Sequence, residues 1–315
     1  MPAAITQCIE EGGKKRMNVI KITPRGYCYG VVDAMNIART AAANQALPRP
    51  LYIVGLIVHN RIVVEELTRL GIITLDGADR ATLLEQVERG TVIFTAHGVS
   101  PAVQQRARER GLHIIDATCP DVARTHELVR HLVSQNYQII YIGKKGHPEP
   151  EGVIGEAPHA VHLVEGPTDL ELLPPALRQA ERLAVTTQTT LSQWDTAQML
   201  KAIQQRFPQV EVYNEICRAT QVRQEAVATM ARGADLTIVV GDQRSNNTNR
   251  LVQVAQEIAH SPAIRIDSVQ DLTPAMLSGK RRIAVTSGAS TPSHITREVI
   301  RYLEALEDPA SEKDL

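Results

Sequence analysis

Short apolar runs alternate with amphipathic stretches from about residue 17 onward. The runs LYIVGLIV, YQIIYIG and LTIVVGD have the length and composition of buried strands, whereas RIVVEELTRLG and NRLVQVAQEIAH carry apolar residues at helical spacing. Repeated alternation of strand and helix is typical of α/β domains with mainly parallel sheets. Aromatic residues make up only 3% of the chain, so the cores are predicted to consist of Val, Ile, Leu and Ala.

The same local arrangement occurs around three of the four cysteines. Cys28, Cys119 and Cys217 are 91 and then 98 residues apart, and each follows a strand-like run (VIKIT, LHIID or VEVYN) and precedes a helix-like one. Each is followed, in the same order, by a Gly that ends an apolar run and by a Thr-containing segment, TAHGVSP, TTQTTLS or TSGASTP. Landmarks that recur in phase, with a period of about 95 residues, predict three similar α/β domains rather than a solenoid of short repeats.

This period divides the chain into five predicted ranges. They are a polar N-terminal extension without periodicity (1–16), three α/β domains (17–117, 118–214 and 215–306) and a C-terminal tail (307–315). The extension is expected to be disordered, and its cysteine, Cys8, is given no role.

The landmarks all fall where a predicted strand leads into a predicted helix. In open α/β sheets, functional groups gather at the carboxyl ends of the strands, next to helix N-termini. Three such domains, arranged around a pseudo-threefold axis, could point all of these loops in one direction. The recurrent loops, and with them the three cysteines, would then meet at one central cavity.

Bulk composition excludes several classes of protein. The 315 residues carry a formal net charge of −1, which gives no sign of a nucleic-acid or membrane partner. No apolar run reaches the roughly 18 residues that span a bilayer, and the start of the chain lacks the apolar segment of a secretory signal. A cytoplasmic protein is therefore expected. The four cysteines, none in a CxxC pair, are expected to be reduced thiols or metal ligands.

Three convergent cysteines leave several interpretations open. A lone cysteine is most often a small buried hydrophobic residue, but recurrence at one loop position in three copies argues against that interpretation. A structural zinc site would usually draw its ligands from CxxC or HxxxH pairs, which this chain lacks. A [4Fe–4S] cluster held by only three thiolates has one iron open to substrate, and the sequence favours this catalytic type of cluster over zinc.

Polar side chains in the same loops are candidates for binding an anion or moving protons. The first two repeats offer His59, His97 and His147. The third repeat offers neutral donors next to helix N-termini, which are natural phosphate sites: Ser245, Asn246, Asn247, Asn249, Ser287 and Ser290. Ser and Asn are also common as turn and capping residues, so one such loop alone would not establish a site.

Glu149 is the strongest carboxylate candidate. In GHPEPEG, Pro148 and Pro150 restrict the backbone and hold His147 close to Glu149. A carboxyl group in a cavity with little water would have a raised pKa and could act as an acid. Thr189, in TTQTT, is placed to position that acid or a substrate hydroxyl.

Nine ordered motifs resemble one enzyme family. GYCYGVVDAM, VHN, TAHGVSP, DATCPDV, GHPEPEG, TQTTLS, ICRATQVRQ, SNNTNRL and SGASTP are similar to segments of 4-hydroxy-3-methylbut-2-enyl diphosphate reductase, the terminal reductase of the non-mevalonate isoprenoid route. The resemblance extends from about Met17 to about Leu306, which is nearly the whole chain.

The resemblance implies a fold, a cofactor and roles for the candidate residues. It implies a trefoil of three α/β domains around a [4Fe–4S] cluster with one open iron, with Cys28, Cys119 and Cys217 as the cluster's ligands. Glu149, beside His147, is implied to be the proton donor, assisted by Thr189. The residues implied to bind the substrate are His59, His97, His147, Thr189, Ser245, Asn246, Asn247 and Ser290, with the three histidines, Ser245, Asn247 and Ser290 on the diphosphate.

The reaction that the resemblance implies is a reductive dehydroxylation that uses two electrons and two protons. It releases water and gives both isopentenyl and dimethylallyl diphosphate, because an allylic intermediate can be protonated at either end. The resemblance also implies that a ferredoxin or a flavodoxin supplies the electrons, and the sequence has no second redox-cofactor motif to replace such a donor.

Two positions depart from the family pattern. Asn246 stands where the family often has a second serine, and Tyr29 follows the first cysteine where many members have alanine.

Two other functions remain open. One is a zinc-containing protein that binds a phosphorylated ligand, and the other is a zinc hydrolase with Glu149 as general base.

Overall fold

The computed structural model describes residues 17–77 and 79–306. The predicted extension, with Cys8, and the predicted tail lie outside the described residues. The strands are β1 (Asn18–Lys21), β2 (Leu51–Val54), β3 (Ile72–Leu75), β4 (Thr91–Phe94), β5 (His113–Asp116), β6 (Gln138–Ile142), β7 (Val161–Val164), β8 (Leu183–Thr187), β9 (Glu211–Val212), β10 (Leu236–Val240), β11 (Ala263–Ile266) and β12 (Arg282–Ser287). The α-helices are α1 (Tyr29–Ala43), α2 (Arg61–Arg69), α3 (Arg80–Glu85), α4 (Pro101–Glu109), α5 (Pro120–Ser134), α6 (Pro148–Ile154), α7 (Pro167–Leu172), α8 (Gln193–Arg206), α9 (Arg218–Met230), α10 (Asn246–Glu257), α11 (Pro274–Leu277) and α12 (Ser293–Ala305).

The strands form three four-stranded sheets in which every pairing is parallel. Their orders are β3-β2-β4-β5, β7-β6-β8-β9 and β11-β10-β12-β1. The three orders are equivalent. In each repeat the first and third strands lie at the centre of the sheet, the second lies at one edge, and the strand next to the following cysteine lies at the other edge. The prediction of three similar α/β domains with parallel sheets is therefore confirmed.

The first strand lies in a different domain from the one predicted. The range 17–117 places β1 in the first domain, but β1 pairs with β12 in the third sheet, with Val19 opposite Ile283. The reason lies in the order of elements. The fourth strand of the first two sheets precedes the next cysteine, and the corresponding strand for the third sheet precedes Cys28 at the start of the chain. The remaining boundaries of the predicted domains stay predictions.

Each cysteine consequently lies where the chain crosses from one domain to the next. The strand before it completes one sheet, and the helix after it packs on the following sheet. In α1, Met35 shares a core with Ile53 and Ile93 of the first sheet. Helix α5 packs in the same way on the second sheet and α9 on the third. The cysteines therefore lie at the junctions between neighbouring domains.

Helices cover both faces of every sheet, which buries the central strands on both sides. Aliphatic residues and Ala fill most of the six cores, as predicted, and strand β4 is buried along its whole length. Burial on both faces explains why the strands are almost continuous apolar runs. Full burial of one Leu or Ile side chain contributes about 1.5–3 kcal/mol. Among the described residues, no helix is long and apolar enough to cross a membrane.

Candidate active site

One central cavity lies where loops from the three sheets meet. In each sheet the chain leaves the first central strand (β2, β6 or β10) in one direction and returns to form the second (β4, β8 or β12) on its other side. Loops after such strand pairs border the crevice in which α/β folds bind ligands. The predicted site residues that line this cavity are Cys28, His59, His97, Cys119, His147, Glu149, Thr189, Cys217, Ser245, Asn246, Asn247 and Ser290.

Two further candidates from the third repeat do not line the cavity. The side-chain amide of Asn249 donates to the carbonyl oxygen of Gln243 at 2.7 Å. Ser287 is buried, and its hydroxyl oxygen accepts from the amide of Gly26 at 2.8 Å. Both side chains are therefore used to shape the surrounding loops.

The three cysteines occupy equivalent positions in their repeats. They are the N-cap residues of α1, α5 and α9, and their thiols are free and half-buried. Each cysteine amide donates to a carbonyl oxygen in one of the three recurrent Thr-containing loops: Cys28 to Ala289 (3.1 Å), Cys119 to Ala96 (3.1 Å) and Cys217 to Thr189 (3.0 Å). These matched hydrogen bonds aim the three thiols at the same cavity.

The surroundings of the thiols suit ligands of a metal group. Burial raises the pKa of Cys119 to about 12 and that of Cys217 to about 11, so these thiols stay neutral at pH 7 unless a cation stabilises the thiolates. The approach to Cys119 is also tight, because a Cβ atom at Gly30 would collide with its sulfur. Three free thiols from three domains, with a glycine that keeps space beside one of them, fit a group held by three thiolates.

Three imidazole rings lie against one another at one point of the cavity wall, in tilted or edge-on arrangements. The ring centroids are 4.6 Å apart for His59 and His97, 5.3 Å for His59 and His147, and 5.1 Å for His97 and His147. Burial lowers the pKa of His59 to about 4 and that of His147 to about 3, and it lowers the pKa of His97 well below the usual value. The rings are therefore neutral in the free protein at pH 7.

The hydrogen bonding of these rings favours an anion over a metal ion. Their ligand nitrogens lie within 4.8 Å of one another, a spacing that could also hold a metal. However, Nδ1 of His147 accepts from the amide of Glu149 at 3.2 Å, which leaves the proton of the neutral ring on Nε2. Metal-binding imidazoles usually donate their second N–H to a carboxylate or carbonyl, whereas both nitrogens of His59 and Nε2 of His97 have no partner among the described residues. Rings with unpartnered N–H groups suit an anionic ligand.

Glu149 is fully enclosed and held by Thr189. One carboxyl oxygen accepts from the Thr189 amide at 2.7 Å, and the other accepts from the Thr189 hydroxyl at 3.0 Å. Burial raises the pKa of Glu149 to about 7, although the two Thr189 bonds act in the opposite direction. Its side chain is 1% exposed and lines the cavity, so Glu149 can hold a proton near neutral pH and present it there.

The third domain supplies neutral polar side chains, some of which already form hydrogen bonds within the protein while others do not. Ser245 is the N-cap of α10, and the Ser290 hydroxyl donates to the carbonyl oxygen of His59 at 3.0 Å. The amide nitrogen of Asn246 is already bonded to the Thr190 carbonyl oxygen at 2.9 Å. The amide oxygen and nitrogen of Asn247 are both buried without a partner among the described residues. Among these third-domain side chains, Asn247 is therefore the best candidate to hydrogen-bond a polar ligand.

Comparisons with known proteins identify the family. A family model described as "LytB protein" matches residues 19–304. The chain belongs to the LytB family. The 4-hydroxy-3-methylbut-2-enyl diphosphate reductase of Symbiobacterium thermophilum is 65% identical over 288 residues, which cover 91% of this chain and 97% of that protein. The reductase of the same name from Anoxybacillus flavithermus is 60% identical, over 91% of this chain and 90% of the relative.

Solved structures agree with this LytB assignment. The E-1-hydroxy-2-methyl-but-2-enyl-4-diphosphate reductase from Plasmodium falciparum is 36% identical and superposes with a TM-score of 0.83, over 91% of this chain and 88% of that chain. A second structure, described as the terminal enzyme of the non-mevalonate pathway, is 30% identical with a TM-score of 0.65, over 92% of this chain and all of the other. The resemblance inferred from the nine motifs is confirmed.

Sequence reasoning missed two charged residues close to the cysteines of this LytB chain. Asp121 lines the cavity, accepts from the Tyr29 hydroxyl and pairs with Arg124 at 3.2 Å. Arg223 is buried in α9 and bonds to the loop before Cys28. The available signal was their position inside the motifs DATCPDV and ICRATQVRQ, since neither residue stands out by residue type.

Proposed function

We propose that this chain is a 4-hydroxy-3-methylbut-2-enyl diphosphate reductase that converts its substrate to isopentenyl and dimethylallyl diphosphate. The observation that carries the proposal is the single cavity in which three thiols, three neutral imidazoles and a buried, proton-holding carboxyl group meet. Membership of the LytB family and the names of the relatives support the same reaction.

Cys28, Cys119 and Cys217 would hold a [4Fe–4S] cluster, one cysteine from each domain junction. When bound, such a cluster supplies the electrons and offers one open, Lewis-acidic iron to the substrate hydroxyl. The N-terminal ends of α1, α5 and α9 all face this position, and their positive ends stabilise thiolate charge. A ferredoxin or a flavodoxin is the proposed source of the electrons.

The diphosphate would be bound by the histidines and by the polar groups of the third domain. Unpartnered nitrogens of His59 and His97 and the free amide of Asn247 provide donors inside the cavity. Thr189, Ser245, Asn246 and Ser290 line the same space, and the N-terminus of α10 adds backbone donors and a positive field. Binding the diphosphate would also direct the substrate hydroxyl toward the cysteines, because the diphosphate donors and the cysteines line the same cavity.

Glu149 would deliver the proton that releases water. Its pKa of about 7 keeps a large fraction protonated at neutral pH, and the two Thr189 hydrogen bonds fix the carboxyl group in the cavity wall. Thr189 would not donate a proton to the substrate in the overall reaction. Its role would be to orient the Glu149 carboxyl group and the substrate hydroxyl. The neighbouring His147, with its proton on Nε2, faces the same region and can donate to the diphosphate.

Metal analysis of protein purified without oxygen tests the proposal. We expect about four iron and four acid-labile sulfide per chain, with one iron distinct in Mössbauer spectra. Cys119→Ser should remove the cluster, whereas Cys8→Ser should leave it in place. Zinc in the wild-type protein would overturn the proposal and favour one of the zinc-containing alternatives. No metal after anaerobic reconstitution would overturn it as well, because the recurrent cysteines would then serve another purpose.

A further inference from the structure

Arg223 is a buried cation in the helix that begins at Cys217. Its side chain is 5% exposed. One guanidinium nitrogen donates to the Gly26 carbonyl oxygen at 2.7 Å, and another donates to the Ala219 carbonyl oxygen at 3.1 Å. Both acceptors are neutral backbone groups, and Nε has no partner among the described residues. The hydrogen bonds of Arg223 therefore leave its charge uncompensated.

The anions that could offset this charge are the thiolates of Cys28 and Cys217, which form when the cysteines bind a metal group. Burial lowers the pKa of Arg223, and thiolate charge on Cys28 and Cys217 raises it; no carboxylate among the described residues pairs with it. A buried charge without a counter-charge is strongly unfavourable. Arg80 provides the contrast, because this second buried arginine lies in the field of Glu151, Asp76 and Asp79.

Arg223 also connects two of the segments that carry cysteines. Its bond to Gly26 links α9 to the loop before Cys28, and that loop is further held by the bond from the Gly26 amide to Ser287. Gly26 has φ +78°, and a Cβ atom there would lie 2.5 Å from the hydroxyl oxygen of Ser293, so the loop admits only glycine in this form. The guanidinium is thus fixed between the segments of Cys28 and Cys217.

We propose that Arg223 is the counter-cation of the three-cysteine site and makes the bound cluster easier to reduce. This inference rests on the proposed function, since it needs a cluster on the three thiolates. Three thiolates give an oxidised [4Fe–4S] cluster a net negative charge, and one electron from a ferredoxin-type or flavodoxin-type donor makes it more negative. A fixed positive charge in low-dielectric surroundings stabilises the reduced state more than the oxidised state. Arg223 is therefore a positioning residue that acts through the cluster.

Three variants of the full chain test this role. Arg223→Gln removes the charge, and Arg223→Lys retains it. Arg232→Gln is the matched control, because Arg232 is exposed and bonds to the carbonyl oxygen four residues before it, at Ala228, as Arg223 does at Ala219. Arg232 follows the C-terminal end of α9, and the 13 residues of that helix span about 20 Å. Each variant is reconstituted without oxygen, and its iron, sulfide and midpoint potential are measured.

The expected result is a potential that depends on the charge at residue 223. In Arg223→Gln the equilibrium constant for one-electron reduction should fall about tenfold, which is about 59 mV toward more negative potential. Arg223→Lys should shift the potential by clearly less, and Arg232→Gln should match the wild type. If Arg223→Gln fails to retain iron, retention in Arg223→Lys would support the charge role.

Two results would overturn the inference. One is a fully loaded Arg223→Gln variant whose potential equals that of Arg232→Gln. The other is equal loss of iron in the Gln and Lys variants, which would show that hydrogen bonding and shape matter but charge does not. A wild-type protein without iron and sulfide would instead refute the proposed function itself, and the control measurement on wild type distinguishes that case.

Discussion

At the scale of single residues, burial has opposite consequences for the acid and for the imidazoles of the cavity. It raises the pKa of the Glu149 carboxyl to about 7 and lowers that of His59 to about 4. In both cases the neutral form is favoured, because a charge without a partner is costly away from water. At neutral pH the free site therefore holds neutral imidazoles beside a carboxyl group that is protonated in a large fraction of the molecules.

Replacing Glu149 by Gln should stop turnover and preserve binding. The amide cannot deliver the proton, so we expect kcat to fall by about 10²–10⁴-fold, the usual contribution of a positioned general acid. The Kd for inorganic diphosphate should change little, because Glu149 is bonded to Thr189 and is not one of the unpartnered donors. Turnover with a chemical reductant and calorimetric titration measure the two quantities.

Glu151→Gln is the control for this experiment. It makes the same chemical change two residues along α6, at a side chain that does not line the cavity. It should keep kcat close to the wild-type value. Equal losses in both variants would mean that the loop, and not the acid, is responsible.

The raised pKa of Glu149 should also appear in the pH dependence of stability. Since its folded pKa lies near 7, above the ordinary value of 4.5, the folded state holds this proton more tightly than the unfolded state. The free energy of unfolding should therefore fall as pH rises from about 4.5 to about 7, by a few kcal/mol from this group. Denaturant titrations of cluster-free wild type and Glu149→Gln at several pH values measure this, and the variant should lack that part of the slope. Parallel curves would contradict the assignment.

The three histidines should take up protons when the site binds an anion. Burial keeps them neutral, and a diphosphate beside them would raise each pKa by direct charge interaction. Calorimetric titration with inorganic diphosphate at pH 7, in two buffers of different ionisation enthalpy, should show net proton uptake. His59→Asn should reduce the uptake, whereas His159→Asn, at an exposed position, should not. Binding heats that are independent of the buffer would contradict this prediction.

At the scale of secondary-structure elements, five helices begin at residues of the cavity wall. The N-cap residues of α1, α5 and α9 are the three cysteines, and those of α6 and α10 are His147 and Ser245. A helix N-terminus carries unsatisfied amides and about half a positive charge. Helix N-termini therefore lie at both parts of the cavity: at the three cysteines, and at His147 and Ser245, which we propose to bind the diphosphate.

Gly30 should be essential because of its neighbour in another element. An Ala at this position would place Cβ against the sulfur of Cys119 and 3.1 Å from its Cβ, so the thiol would have to move out of position. We expect Gly30→Ala to lose more than half of its iron while the cluster-free protein stays folded, since Ala is favoured over Gly by about 1 kcal/mol in a helix. Gly166→Ala is the control, because a Cβ there meets no atom within 4 Å. Full iron content in Gly30→Ala would show that the sulfur can yield.

The pattern of elements was predictable from the sequence, and so was the gathering of the site residues. Strand β5 and helix α5, on either side of Cys119, follow from the apolar pattern of the sequence. The loops between strand and helix were expected to meet, because functional groups in α/β sheets gather at the carboxyl ends of the strands. The role of Arg223 was not predictable, because nothing in the sequence around it shows that its side chain bonds to Gly26, 197 positions away along the chain. The hydrogen bond from the Asn246 side chain to the Thr190 carbonyl oxygen could not be predicted either, since it depends on how two domains pack against each other.

At the scale of the whole molecule, the three domains are closed into a ring by contacts between them. The Ser290 hydroxyl of the third domain donates to the first-domain residue His59, and Asn246 donates to Thr190 of the second. The Tyr29 hydroxyl, next to Cys28, donates to Asp121 of the second domain. Exchange of strands adds to this, because each cysteine segment belongs to one sheet before the cysteine and to the next domain after it. The geometry of the cysteine site is thus a property of the assembled ring.

The first strand completes this ring, which predicts a sharp difference between two N-terminal deletions. Removing residues 1–16 leaves the family match at 19–304 intact and should preserve iron content and thermal stability. Removing residues 1–22 also deletes β1, which leaves an edge of β12 unpaired. It deletes the fully buried Ile22 as well, and truncation of such a residue to Ala alone typically costs about 2–5 kcal/mol.

In the longer deletion, Cys28 should be the first of the three cysteines to lose its position. Its segment would keep the bond from its amide to Ala289 but would lose the strand that fixes where the chain enters the loop. We expect the 1–22 deletion to melt at a clearly lower temperature and to retain little iron after anaerobic reconstitution, with the 1–16 deletion as the matched control. If both proteins hold the same iron, closure of the third sheet by β1 is not needed to position Cys28, and the cysteine site is set by the helices alone.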